Sequence, residues 1–120
     1  MENSFFLKEN YETEIDLETN EDVLERIYDD NISINEKLNI NFAFITDTRE
    51  KAEYFSKKLA DMFPNFSNIK VDNYQEIFEV TGLTEKIQMS LVAINNWNTE
   101  MWNFGYKYDC KLDGWFVEGN

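Results

Sequence analysis

The side chains that most often carry catalysis or bind metals are scarce in this chain. Histidine is absent, which removes the commonest general base near neutral pH and the commonest metal ligand. The single cysteine, Cys110, has no histidine to activate it, so a buried, unreactive thiol is the expected role. One cysteine without histidine also leaves no donor set for a structural zinc site. The four glycines, Gly82, Gly105, Gly114 and Gly119, are dispersed and build no phosphate-cradling loop. The acid-dense stretch 16–30 lacks the spaced oxygen ligands and the glycine of a calcium loop, and reads as a solvated face. Asp109 and Asp113 flank the start of a strand and are the best candidates for a carboxylate pair. Hydrolytic use of such a pair needs a cleft, for which a chain this short has little room. No catalytic residue, cofactor or metal is therefore expected.

What the sequence does offer is charge. It holds 11 Lys and Arg against 24 Asp and Glu, a net charge of −13. Residues 1–36 carry 12 of the acids against Lys8 and Arg26 only, whereas residues 37–120 are nearly balanced. An acidic front on a near-neutral body repels phosphate backbones, so direct nucleic-acid binding is not expected. The same field speeds encounter with a basic protein surface, an attraction that salt weakens. Acidity that merely keeps a small protein dissolved is the plainer alternative.

These side chains need a scaffold, and 120 residues supply one domain. Area scaling gives a folded surface of roughly 7,000 Å² against about 21,000 Å² extended, enough burial for one core without disulfides. With 42% hydrophobic residues, 4 Gly and 1 Pro, general disorder is excluded. The longest apolar run, four residues as at 42–45, is far too short to span a membrane. The opening Met1-Glu2-Asn3-Ser4 has no basic segment, and the lone cysteine suits a reducing compartment; a cytoplasmic protein is expected.

Residues 1–19 show no period, and Phe5, Phe6, Tyr11, Ile15 and Leu17 are scattered among acids. They read as a loosely held acidic arm ahead of a single domain at 20–120. Asn20 suits an N-cap, and Val23, Leu24, Ile27 and Tyr28 form the stripe of a short helix. Residues 37–46 alternate as a strand with Leu38, Ile40, Phe42 and Phe44 inward. Asp47 or Thr46, with Glu50, resembles a capping box for a helix whose stripe is Ala52, Phe55, Leu59 and Met62, and which Pro64 stops. A strand at 67–72, a turn at 72–74 and a return strand from Gln75 to about Ile87 follow, with Gly82 marking a bulge or bend. Ser90 caps a third helix carrying Ile94, Trp97, Met101, Phe104 and Tyr108, with Gly105 as a candidate end. Residues 112–117 form a last strand. Strand, helix, strand, strand, helix, strand gives an α+β ferredoxin-like sandwich: four mainly antiparallel strands with two helices on one face. The arm and short helix precede it, and the other sheet face is open unless they cover it.

The aromatic stripe of Trp97, Trp102, Phe104 and Tyr108 is most simply core, a partner-binding groove being the sharper alternative. Asp113-Gly114-Trp115 enters the last strand after Tyr108-Asp109-Cys110-Lys111-Leu112. Asp113 can bond nearby backbone N–H groups, Gly114 permits close approach, and Trp115 can anchor the strand.

This ending resembles the family of the regulator of ribonuclease E activity B, whose members finish with a helix, a Tyr-Asp or similar pair, and a short strand written Asp-Gly-Trp. The resemblance extends to the order of elements from about residue 20 to 117 and to the acid-rich first helix. It implies a ferredoxin-like fold and a bacterial protein that contacts the ribonuclease E scaffold region and inhibits RNA cleavage, protein against protein. The namesake's acidity lies in a C-terminal tail, whereas here it lies at the front. The expected partner is a protein with a basic surface, met by Glu21, Asp22, Glu25, Asp29, Asp30, Asp113, Gly114 and Trp115. An immunity protein neutralising a basic nuclease toxin fits the same size and acidity. Sheets of this kind also pair through an edge or face, so a homodimer is compatible with the fold.

Overall fold

The alternation at 38–44 produces the strand it predicts. In the computed structural model, which describes residues 3–118, β1 spans Lys37–Thr46 and buries Ile40, Phe42, Phe44 and Thr46. The periodic stripes likewise become α3, Arg49–Met62, and α4, Leu91–Lys107. The remaining strands are β2, Ser67–Tyr74, β3, Ile77–Gln88, and β4, Lys111–Phe116. All neighbours pair antiparallel in the order β2-β3-β1-β4. This is the split arrangement of a ferredoxin-like sandwich, with β3 inserted between β1 and β2. Helices α3 and α4 bury their apolar sides on one sheet face. Phe44 and Phe55 rings meet edge to face at 4.7 Å, and Phe55 lies 5.6 Å from Phe104. The accessible surface is 7,502 Å², close to the value that size alone dictates.

Several local expectations change. Thr48, not Asp47 or Thr46, caps α3 by accepting from the Lys51 N–H at 3.2 Å, while Ser90 caps α4 as anticipated. Met62 lies at the end of the α3 stripe and is exposed. The hairpin turns at Gln75-Glu76, because Tyr74 and Ile77 still pair and Gln75 takes the positive φ of 57°. Gly82 is not a bulge. It pairs with Phe42, and a Cβ there would sit 2.6 Å from the Phe42 ring. The extra residue in β3 falls beyond it, where the Thr84 hydroxyl accepts the Ile40 N–H at 2.9 Å. Helix α4 runs past Gly105, whose missing side chain lets the Cys110 carbonyl approach.

The arm is docked rather than loose. It forms α1, Lys8–Thr13, and leads into α2, Glu18–Asp29. Phe6 is fully buried against Trp102 and Tyr106 of α4, and Tyr11 stacks on Tyr106 at 4.0 Å. Burying one such ring contributes roughly 2–3 kcal/mol. Helix α2 packs on α4 through Leu24 and Ile27, with the Tyr28 hydroxyl donating to the Met89 carbonyl at 2.6 Å. The arm and α2 therefore build outward from α4 and leave the second sheet face uncovered among the described residues. That face presents Asn41, Ala43, Thr81, Leu83 and Phe116. No helix among these residues is long and apolar enough to cross a membrane.

Candidate functional site

Two polar constructions hold the acidic front end on the sandwich. The first is centred on Asp109. Its backbone adopts φ 59°, and its side chain is buried beneath the arm. The carboxylate accepts the successive N–H groups of Ser4, Phe5 and Phe6 at 2.9, 3.0 and 2.6 Å. The Lys51 ammonium lies 2.6 Å away and bridges also to Asp47 at 2.8 Å. Burial alone would push the Asp109 carboxyl up; Lys51 and the backbone N–H groups outweigh it and hold the group below the usual carboxylate range. Burial likewise works against ionisation of Asp47, where Lys51 and the Ser4 hydroxyl prevail.

The second construction is centred on Asn20, which is not the N-cap of α2. The helix begins at Glu18, and the Asn20 side chain is buried inside it. Its amide donates to Asn95 at 2.9 Å and Asn98 at 3.1 Å, both on α4, and its carbonyl accepts the Trp115 indole N–H at 3.0 Å. Trp115 reaches that point because β4 carries an extra residue. Ala43 pairs with Gly114 and Phe44 with Leu112, so Asp113 is left over as a bulge. Leu112 and Trp115 then both turn toward the helices, and Trp115 meets Trp97 edge to face at 6.2 Å.

Between these anchors lies a groove of about 240 Å³, lined by Glu14, Asp16, Lys111, Asp113, Gly114 and Trp115, among others. Lys111 donates to Glu14 at 2.6 Å and, together with Asn10, holds that carboxyl below its ordinary range. Asp16 and Asp113 are exposed at its rim. Of the residues singled out from sequence, Asp113, Gly114 and Trp115 belong to this groove. Glu21, Asp22, Glu25, Asp29 and Asp30 are all exposed on α2 or directly after it, Asp29 and Asp30 at the end remote from the groove. None of the ion pairs among the described residues engages an α2 carboxylate.

Asp109 and Asp113 do not act as a pair: one is consumed by the arm and Lys51, the other is exposed on a bulge. Glu79 lies on the open sheet face, in a hollow that Asp113 also lines and Asp109 does not. Among the described residues no group of three or more His, Cys, Asp or Glu is placed to hold a metal ion. Cys110 is fully buried, and burial pushes its thiol up to about 12. The arrangement offers a negatively charged helix face running into an acid-rimmed groove with tryptophan in its wall.

Sequence reasoning missed Asp109 as the arm's anchor and Asn20 as the α2 hub, because each acts only through residues far along the chain. Glu14, Asp16 and Lys111 carry no pattern that would single them out.

A family model described as RraB, Regulator of ribonuclease activity B, matches residues 17–117. The matched span starts at the threshold of α2 and takes in the whole sheet; the clasped segment before it lies outside. No curated protein matches the chain significantly.

Proposed function

The chain belongs to the RraB family of regulators of ribonuclease activity, and from that premise we propose that it is a non-catalytic cytoplasmic protein that binds and inhibits a basic protein partner, a ribonuclease E-type RNA-degradation enzyme. In this reading residues 20–120 are the regulatory body and residues 1–19 an acidic arm. The observation that carries it is the exposed carboxylate face of α2, free of cationic partners among the described residues and continuous with the groove around Asp113 and Trp115. Unpaired carboxylates on a rigid helix attract a cationic polypeptide without having to break internal ion pairs first. The contact is with protein, because a surface of this sign repels RNA.

The test is binding of the purified chain to a ribonuclease E-type enzyme, at low and high salt, alongside an RNA-cleavage assay. Binding should inhibit cleavage and weaken as salt rises. The double variant Glu21→Lys/Glu25→Lys should weaken binding about tenfold, since exposed ion pairs contribute up to about 1 kcal/mol each. Full inhibition by that variant would overturn this reading.

A further inference from the structure

A second groove lies on the far side of α4, away from the acidic front. It runs between the C-terminal end of α3 and the outer face of α4, in two hollows of about 500 and 710 Å³ that share Phe63, Asn96 and Glu100. Its floor is aromatic. Phe63 and Phe66 stack at 4.8 Å, and Phe63 meets Phe104 edge to face at 5.2 Å. Met62, exposed at 62%, overhangs it. An exposed methionine over a phenylalanine floor is the adaptable apolar surface on which proteins seat foreign side chains.

The charges around this groove are unevenly placed. The hollow next to β3 is lined by Glu85 and Glu100 with no cation, while Lys107 stands at the opposite end. Trp97 lines the same acidic hollow. Its indole N–H is buried and has no hydrogen-bond partner among the described residues. The other two indoles are satisfied: Trp102 donates to the Tyr11 carbonyl at 2.9 Å, and Trp115 to Asn20. Aromatic faces beside two carboxylates favour a guanidinium, which stacks on rings and bonds to carboxylates at once.

We propose that the α3–α4 groove is a docking site for an arginine-bearing apolar segment of a partner protein. The arginine enters the hollow between Glu85, Glu100 and Trp97, and a neighbouring apolar side chain settles under Met62 on Phe63 and Phe104. Arginine is among the residue types that most often dominate binding energy at an interface. The inference rests on the reading of a basic protein partner and adds to it a second contact surface, independent of α2.

The three indole N–H resonances give the test. The intact chain is titrated with a synthetic peptide alternating arginine with leucine and phenylalanine. The Trp97 indole signal should move while that of Trp102, which lines the α2–β4 groove, stays fixed. The exposed pair Glu85→Lys/Glu100→Lys should lower the peptide affinity about tenfold, whereas Glu21→Lys should leave the Trp97 shift unchanged. Movement of Trp102 with Trp97 fixed would overturn the inference and leave the α2 surface standing. Absence of any indole shift, or an undiminished Trp97 shift in the double variant, would overturn it too. Failure of the wider reading is read separately, as absent inhibition in the ribonuclease assay.

Discussion

The Asp109 carboxylate and the Phe6 backbone N–H meet at 2.6 Å across 103 positions of sequence. The bond closes a clasp in which residues 4–6 of the arm are held by charge and the Phe6 ring by packing. Replacing Asp109 with alanine leaves three backbone N–H groups without their acceptor and Lys51 with only Asp47 and the Ser4 hydroxyl. The expected loss is about 3 kcal/mol in chemical denaturation, with faster amide hydrogen exchange at residues 4–6 than at α4. Unchanged exchange there would show that Phe6 alone holds the arm.

Acid should act through the same carboxylate. Its pKa is lower folded than unfolded, so near pH 4 the unfolded chain binds more protons. The clasp's contribution is full above the unfolded value and drains away as pH falls through the folded one. Asp47 adds to the slope in the same direction. The expected outcome is a loss of stability below about pH 4 that is visibly shallower in Asp109→Asn. Thermal unfolding across that range, wild type against variant, checks it.

Glycine substitutions should separate sharply. A Cβ on Gly105 would sit 2.3 Å from the Cys110 backbone carbonyl, which cannot move without shifting β4. Gly105→Ala should therefore cost about 3 kcal/mol or more. Gly114 has open space around it and no positive φ, so Gly114→Ala should change stability by less than about 0.5 kcal/mol. Equilibrium denaturation of the two variants measures the contrast, and any effect of Gly114→Ala on partner binding would then report a contact rather than a fold defect.

Cys110 should be inert in the native state. Its thiol is buried and pushed up to about 12, so almost no thiolate exists at neutral pH. An aromatic disulfide reagent should label it only after denaturant is added. Rapid labelling of the native chain would mean that the junction of α4 and β4 opens.

The sandwich was legible because its core elements obey simple periods. Alternation from Leu38 to Phe44 marks a half-buried strand, and the stripes of α3 and α4 mark helices lying on it. What escaped is governed by single polar residues with more than one physical use. Asn20 has the chemistry of a cap and equally of a buried three-way hub, and only α4 and Trp115 decide between them. Asp72 and Asn73 look like turn residues, but the pairing of β2 with β3 carries the strand past them to Tyr74. The arm's aromatic residues have no period, so nothing local announces that Phe6 is core. Of the candidate contact residues, the α2 acids were legible as a solvated face. The groove beside them was not, because Glu14, Asp16, Lys111 and Asp113 converge only through tertiary structure.

The surplus residue in β4 is taken up within the bulge itself. Removing Asp113 would leave Leu112, Gly114 and Trp115 in strict alternation opposite Phe44, Ala43 and Phe42, with Trp115 still on the helix side against Asn20. The acidic helix would keep its tether to the strand, and the groove would lose one exposed carboxylate from its rim. A one-residue deletion there thus subtracts a charge without disconnecting front end from body.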